Sequence, residues 1–381
     1  MKIAFIGQKG LPARFGGIER HVEELAVRLV KAGHAVTVYA RPWYTPSTVK
    51  NYRGVTVTTL SSLHTKNFDA ISHTFLATIR AIRGNFDVIH YHGVGPALLA
   101  FIPRLVSPKV KVVVTFHCID RKHQKWGFFA RAMLKMGEWA ACRFAHQTIA
   151  VSQTIQHYCA NVYDRDTVYI PNGVERQSAA ADSDLIAERF GLKKNGYIAC
   201  VARLVRHKGI HYAIAAYQQL ATTKKLVIVG GSAFTDDYVD ELKVLANDNP
   251  KIIFTGYQQG EMLDQLFANA AFIVHPSESE GLPLTVLEAM SYGKTVLASD
   301  IPENMEILRG FGFSFRNKSI SDLKRKLSFL LARPTLLKTT GQQAKHYVLA
   351  NYHWDDIAAK TSQLYERLTS PVKAKLAVSR A

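Results

Sequence analysis

Short apolar runs alternate with helical stretches along the first half of the chain. The runs are rich in Val and Ile and are continuous, which is typical of strands covered on both faces in a parallel sheet. The clearest helix between them follows Gly17, has apolar residues at helical spacing and stops at Gly33. We predict strands at 2–7, 35–40, 55–60, 87–92, 111–116, 147–152 and 167–172.

The second half repeats this pattern, with predicted strands at 197–202, 225–230, 251–256, 271–276 and 294–299. Two successive βαβαβ halves predict an α/β fold of two Rossmann-like, doubly wound domains facing a central cleft. We place the domains at 1–175 and 176–354, joined by a polar linker near 174–194. An amphipathic helix at 355–370 is expected to join the first domain, and a basic tail follows at 371–381.

Composition supports a two-domain globular protein. The chain has 381 residues, of which 48% are apolar, enough for two α/β cores. Its four cysteines form no Cys-x-x-Cys pair, which indicates a reduced, cytoplasmic chain without a structural zinc site. The first apolar run is too short for a secretory signal, and the stretch 90–103 is too short to span a bilayer.

Charge is distributed unevenly along the chain. Residues 1–178 carry 23 Lys and Arg against 10 Asp and Glu, a net +13 of the total +18. An excess of this kind suits nucleic acid, an anionic membrane surface or a phosphorylated substrate, although solubility alone would also account for it.

The segment HPSESEGLPLTVLEAM at 275–290 contains a candidate donor site. We expect a helix to begin near Leu282–Pro283, with Glu280 at its mouth and Glu288 about two turns in, roughly 12 Å away. Backbone N–H groups at Gly281 and Leu282 would lie at the positive helix end, which favours a diphosphate. One carboxylate could accept hydrogen bonds from sugar hydroxyls and the other from ribose. Without further evidence, Glu280 could equally be a solvated loop residue and Glu288 a surface residue of the helix.

Two cations strengthen this prediction. Arg203 and Lys208 directly follow the strand predicted at 197–202, at the edge where ligands bind in doubly wound domains. They could neutralise a departing diphosphate, so neither a metal nor a cofactor is expected. The Asp-x-Asp match at 164–166 is interpreted as a solvated turn.

Together these motifs resemble the retaining glycosyltransferases of family four, which have the GT-B fold. The likeness rests on the pair Glu280/Glu288, the pair Arg203/Lys208, PNGV at 171–174 and GGIERHVEEL near the start. GQKGLPARFGGIE and HCIDRKHQKWG further resemble a subgroup with many rhamnosyltransferases of surface polysaccharide assembly. The acceptor-side positions matching that subgroup are Asp120, Lys125 and Trp126.

The resemblance also implies roles for single residues. Glu280 would hold the donor sugar, Glu288 the ribose, and Arg203 with Lys208 the diphosphate. A second group lies in the first domain: Gly16 and Gly17 would permit close phosphate approach, and His117 would lie beside the reacting carbon.

We therefore predict a retaining, metal-independent enzyme that transfers a hexose or deoxyhexose, of rhamnose, mannose or glucose type, from a nucleotide diphosphate. The expected acceptor is a glycan or a lipid-diphosphate-linked sugar bound by the first domain at the cytoplasmic side. Segment 121–144 mixes cations with aromatic residues. It fits either peripheral contact with an anionic membrane or a core helix with a basic outer face.

Three other functions fit parts of the sequence. A dinucleotide-dependent oxidoreductase would need Gly-x-Gly-x-x-Gly, which the first loop lacks. A nucleotide-sugar epimerase could use the same two domains without an acceptor. A nucleic-acid-binding protein would fit the charge, but the chain has no recognised module and its basic residues are dispersed, so we expect no nucleic-acid partner.

Overall fold

The computed structural model describes residues 1–63, 65, 68–122, 127–177, 184–233 and 235–370. Among these residues the first lobe is built on a sheet of eight strands, in which the pair Asn51–Tyr52 and Val55–Thr59 is antiparallel and the other pairs are parallel. Its strands are β1 Lys2–Ile6, β2 Ala35–Ala40, β3 Asn51–Tyr52, β4 Val55–Thr59, β5 Val88–His92, β6 Lys111–Phe116, β7 Gln147–Ala150 and β8 Val168–Tyr169. They lie in the order β3-β4-β2-β1-β5-β6-β7-β8.

The helices of the first lobe connect parallel strands and bury apolar residues against the sheet. Val22, Leu25 and Leu29 of the first helix are fully covered, as its 3.6-residue spacing predicts. These helices are α1 Gly17–Lys31, α2 Asp69–Arg83, α3 Val94–Ala97, α4 Phe101–Val106, α5 Phe128–Arg143 and α6 Gln153–Tyr163.

The second lobe contains a six-stranded parallel sheet. Its strands are β9 Tyr197–Val201, β10 Lys225–Val229, β11 Ile252–Gly256, β12 Phe272–His275, β13 Val296–Ser299 and β14 Phe313–Phe315, in the order β11-β10-β9-β12-β13-β14. The helices that follow along the chain are α7 Leu185–Phe190, α8 Ile210–Tyr217, α9 Asp236–Ala246, α10 Gly260–Ala268, α11 Leu284–Ser291, α12 Pro302–Leu308, α13 Ile320–Leu331, α14 Pro334–Asn351 and α15 Trp354–Thr369.

The last helix packs against the first lobe. Trp354, Ile357 and Tyr365 of α15 are buried in the same hydrophobic cluster as the apolar face of α1. The Arg28 guanidinium of α1 also donates a hydrogen bond of 2.7 Å to Asp355. The chain therefore returns to its first lobe after completing the second.

The α/β class with two Rossmann-like lobes is confirmed, and each predicted strand is present. β8 is shorter than predicted, covering only residues 168–169. The sequence pattern missed β3 and β14, since strands of two and three residues leave no detectable alternation. Among the described residues, no helix is long and apolar enough to cross a membrane. The exact domain limits and the tail at 371–381 stay predictions, and the tail lies outside the described residues.

Candidate active site

The predicted donor residues lie at the edge of the second sheet where its strand order reverses. β9 lies between β10 and β12, so the connections leaving β9 and β12 run to opposite sides. In doubly wound sheets this point forms a crevice at the carboxyl ends of the strands. Arg203 follows β9, and the loop containing Glu280 follows β12. The loop with the predicted cations and the loop with the predicted carboxylate therefore lie at the same edge of the sheet.

Glu280 is buried within a dense polar network. Its Oε1 atom lies 2.5 Å from the Lys208 ammonium and 2.9 Å from His275 Nε2. Burial alone would raise the pKa of Glu280, but the positive charge of Lys208 and the hydrogen bond from His275 hold that pKa well below its ordinary range. The carboxylate is thus fixed in its charged, hydrogen-bond-accepting form.

Glu288 has the opposite electrostatic environment. It lies on α11, half-buried, and burial raises its pKa to about 7. The guanidinium of Arg20 on α1 opposes this shift, while the carboxylates of Glu24 and Asp264 add to it. The Arg20 interaction places Glu288 opposite the first lobe rather than on an outer surface. Arg20 is a residue that the sequence analysis did not single out.

Gly281 is in close contact with the first lobe. A Cβ atom at position 281 would lie 1.7 Å from the carbonyl oxygen of His117 and 3.2 Å from the Cys118 side chain. Real Cβ atoms do not approach so closely, so glycine is required here for backbone contact. One residue further on, the amide of Asn172 donates a hydrogen bond of 2.7 Å to the Leu282 carbonyl.

The helix predicted to begin near Leu282–Pro283 begins one residue later. α11 begins at Leu284, with Pro283 in an extended conformation at its N-cap, because the carbonyl of Leu282 is bonded to Asn172 and its side chain is buried. Gly281 and Leu282 therefore belong to the inter-lobe loop that precedes the helix.

The two predicted cations differ in their surroundings. Lys208 lies in a 3-10 turn after β9 and is paired with Glu280. Arg203 is exposed, and its charge acts on the Cys118 thiol across the lobe boundary. Within the described part of the chain its guanidinium has no ion-pair partner. Arg203 is therefore available to an anionic ligand, whereas Lys208 would have to bridge Glu280 and the ligand.

The loop that contains Gly16 and Gly17 lies opposite helix α11. Gly16 is the N-cap of α1 with φ of 107°, a value that favours glycine, and Gly17 opens the helix. A Cβ atom at position 17 would lie 3.7 Å from the Leu284 side chain. The start of α1 and the start of α11 therefore face each other.

His117 is part of a buried histidine cluster. Its Nε2 atom lies 3.3 Å from Nδ1 of His92, and its ring centroid lies 4.8 Å from that of His21. Burial lowers the pKa of all three side chains, so they are neutral. His21 comes from α1, and the other two residues end or follow neighbouring strands.

His21, His92 and Asn172 were not predicted as site residues, although the sequence carries signals for them. His92 lies two residues after His90 at the end of one strand, and His117 follows the adjacent strand. Their proximity depends on the pairing of β5 with β6, which the sequence pattern did not specify.

The acceptor-side predictions are only partly within the described structure. Asp120 accepts a hydrogen bond of 3.1 Å from the Cys118 thiol and opens a 3-10 turn. Next to it, Arg121 contacts the fully buried Glu138 at 3.1 Å. Lys125 and Trp126 lie outside the described residues.

The Asp-x-Asp match at 164–166 lies between a helix and a strand. Asp164 ends α6 in a left-handed conformation, and strand β8 begins only at Val168.

Comparison with known proteins agrees with this architecture. Residues 15–178 match the family described as Glycosyltransferase Family 4, and residues 182–347 match Glycosyl transferases group 1. Among solved structures, sucrose-phosphate synthase from Thermosynechococcus elongatus has a TM-score of 0.84 at 22% identity, with 96% of this chain and 98% of that chain covered. HepE from Anabaena, solved with UDP and glucose, has a TM-score of 0.80 at 21% identity, with 96% and 100% covered.

Two similar proteins of described activity are mannosyltransferases. One is the GDP-mannose-dependent alpha-(1-6)-phosphatidylinositol monomannoside mannosyltransferase of Mycolicibacterium smegmatis, 26% identical over 384 residues, with 93% of this chain and 95% of the relative covered. The other is the O-antigen chain mannosyltransferase C of Escherichia coli, 23% identical over 330 residues, with 84% and 82% covered.

The two sheets and the loops that meet at Gly281 have the architecture of the GT-B fold. The two family matches together extend over most of the chain, which belongs to glycosyltransferase family 4. The enzyme class is thereby shown, and the rhamnosyltransferase subgroup stays a prediction.

Proposed function

We propose that the protein transfers a hexose or deoxyhexose from a nucleotide diphosphate sugar with retention of configuration. The observation that carries this proposal is the position of Glu280 and Glu288, which both lie at the lobe boundary and have opposite pKa shifts. Glu280 would accept hydrogen bonds from the sugar and Glu288 from the ribose. That HepE was solved with UDP-glucose supports a nucleotide-sugar donor.

Arg203 and Lys208 would act on the leaving group. As the glycosidic bond to phosphate breaks, negative charge grows on phosphate oxygen, and fixed cations stabilise it. Lys208 already lies against the carboxylate assigned to the sugar, so it is suited to bridge sugar and phosphate. These two cations would let the reaction proceed without a metal at the diphosphate. Gly16 and Gly17 would allow the phosphates to approach the start of α1.

Retention would come from attack on the same face as the departing phosphate, which would accept the acceptor's proton. His117 would lie beside the reacting carbon, because its backbone contacts Gly281 next to Glu280. Contact between the lobes at this position would exclude water and limit hydrolysis of the donor.

A paired substitution tests the donor site. Glu280→Gln keeps the size of the side chain but removes its charge, and Arg203→Met removes the exposed cation. Each should lower kcat/KM by roughly 100-fold, because Glu280 is assigned to orient the donor sugar and Arg203 to stabilise the charge that grows on phosphate. Arg206→Met is the matched control, since this exposed residue of the neighbouring turn pairs with Glu241 instead.

The assay should follow sugar transfer from UDP-, dTDP- and GDP-sugars, chosen by ligand-dependent thermal stabilisation. The anomeric configuration of the product is read by NMR. Near-normal transfer by both variants would refute the assignment of Glu280 and Arg203 to the donor site. An altered donor sugar in the absence of any acceptor would instead identify an epimerase.

The acceptor is proposed to be a glycan or lipid-diphosphate-linked sugar at the cytoplasmic face of a membrane. α5 supports this, because its exposed side carries Phe128, Phe129 and Trp139 with exposed fractions of 91%, 77% and 50%. Arg131 and Lys135 are exposed on the same helix, whereas its one acidic residue is buried. Exposed aromatic residues mixed with cations are typical of helices that lie on anionic membranes.

Membrane contact is tested by co-sedimentation with anionic vesicles at low salt. Exchanging Phe128 and Phe129 for Ser should abolish most binding, since the buried apolar area and the charge act together. Phe329→Ser is the control, because Phe329 is an exposed aromatic residue of the second lobe. Equal binding by both variants, or no binding by the unmodified protein, would refute membrane contact.

A further inference from the structure

The cluster of His21, His92 and His117 is arranged as a set of metal ligands. One ring nitrogen from each residue lies within 4.8 Å of the others, and among the described residues this is the one group found with such geometry. All three side chains are more than nine-tenths buried, with exposed fractions of 3%, 1% and 8%. The cluster is therefore an enclosed set of three imidazoles beside the lobe boundary.

Hydrogen bonding fixes the orientation of His21. Its Nδ1 atom lies 2.9 Å from the side-chain oxygen of Asn172, whose amide nitrogen donates to the Leu282 carbonyl. Because an amide oxygen only accepts, Nδ1 of His21 must donate, and Nε2 is left with its lone pair. That Nε2 atom is buried and has no hydrogen-bond partner among the described residues. An orienting oxygen on one nitrogen and an unpaired second nitrogen is the usual arrangement around a metal-bound histidine.

The other two residues have matching geometry. His92 Nδ1 and His117 Nε2 are 3.3 Å apart. Two nitrogens bound to one tetrahedral zinc at 2.0–2.1 Å from the metal are separated by roughly the same distance. A direct hydrogen bond between these rings would also fit, but it would leave Nε2 of His21 buried without a partner, and such groups are rare and costly.

We propose that His21, His92 and His117 bind one divalent transition-metal ion, with Zn²⁺ and Co²⁺ as the expected species. Three imidazole nitrogens favour these ions over Mg²⁺ or Mn²⁺, which prefer oxygen ligands. The fourth position would hold water, as in open three-histidine sites. This site does not include Arg203 or Lys208, the two residues proposed to bind the diphosphate. Metal binding here therefore does not make sugar transfer depend on a metal.

One consequence depends on the proposed function. A metal bound to His117 would occupy the imidazole assigned to the reacting carbon, so Zn²⁺ should inhibit transfer and a chelator should restore it. The binding itself does not depend on any reaction.

Binding is tested on the full chain, stripped of metal and titrated with Co²⁺. We expect one Co²⁺ per chain after desalting, with the intense visible absorption of a tetrahedral site. His21→Ala should weaken affinity by more than about 100-fold, and Asn172→Ala by about tenfold, since outer partners contribute less than ligands. His346→Ala, at an exposed position on α14, is the control and should match the unmodified protein.

Each outcome decides the proposal. Substoichiometric Co²⁺ without a tetrahedral spectrum would overturn it, as would equal Co²⁺ affinity in His21→Ala and His346→Ala. If His21→Ala fails to fold by circular dichroism, His21→Gln provides the same comparison while keeping a polar side chain. A protein that binds Co²⁺ in this way but transfers no sugar would refute the proposed function and leave the metal site standing.

Discussion

Glu288 should make the stability of this protein fall as the pH rises. Its pKa is about 7 in the folded chain against an ordinary value of 4.5. The folded state therefore holds a proton that the unfolded state has released. Stability from this group is fully present below pH 4.5 and is lost as the pH rises through 7.

The magnitude follows from linkage. Between pH 5.5 and 8 the two pKa values predict a loss of about 2 kcal/mol in unfolding free energy from this one carboxyl group. Glu288→Gln removes the titration and keeps the side-chain volume. The variant should therefore gain stability relative to the unmodified protein by about 2 kcal/mol over this interval, equivalent to a few degrees in Tm.

The assay is thermal unfolding of both proteins across this pH range. Glu188→Gln is the control, because Glu188 is an exposed residue on the short helix α7. Parallel pH profiles for Glu288→Gln and the unmodified protein would refute the reasoning, since they would show that the carboxyl group does not titrate near 7 when folded.

Three further predictions follow from the lobe boundary and from Glu288. Gly281→Ala should lower transfer at least roughly 100-fold while far-UV circular dichroism stays unchanged, because the added Cβ would clash with the His117 carbonyl. Asn172→Ala should reduce Tm by leaving the Leu282 carbonyl unpaired, a cost of about 1–3 kcal/mol; an unchanged Tm would contradict this. Nucleotide diphosphate affinity, measured by calorimetry, should rise more between pH 6 and 8 in the unmodified protein than in Glu288→Gln, because the ionised carboxylate accepts ribose hydrogen bonds better, whereas ionisation of the ligand's phosphate affects both proteins alike.

Much of the donor site could be predicted from sequence because its residues are close along the chain. Glu280 and Glu288 belong to one strand–loop–helix segment, and Arg203 with Lys208 follow one strand. Local spacing therefore placed Arg203, Lys208 and Glu280 after strands β9 and β12, and Glu288 on the helix that follows β12. α11 begins one residue later than predicted because Pro283 is compatible with both the N-cap and the first turn.

The acidity of the two glutamates could not be predicted. Their opposite pKa shifts come from Lys208 and His275 around one carboxylate and from burial opposite Arg20 around the other. A solvated surface position was equally compatible with the sequence for both residues. Only packing of the two lobes against each other decides between these environments.

The sequence by itself determined the two α/β halves, since continuous Val and Ile runs at regular intervals have few alternatives to buried parallel strands. It also determined the segments that contain the predicted donor residues, because these residues are neighbours along the chain. Only the tertiary structure decided that Gly281 meets His117, that α15 returns to the first lobe, and that three distant histidines share one buried space. The physical reason is that these contacts join residues far apart in sequence, and their formation depends on which strands pair and how the lobes dock.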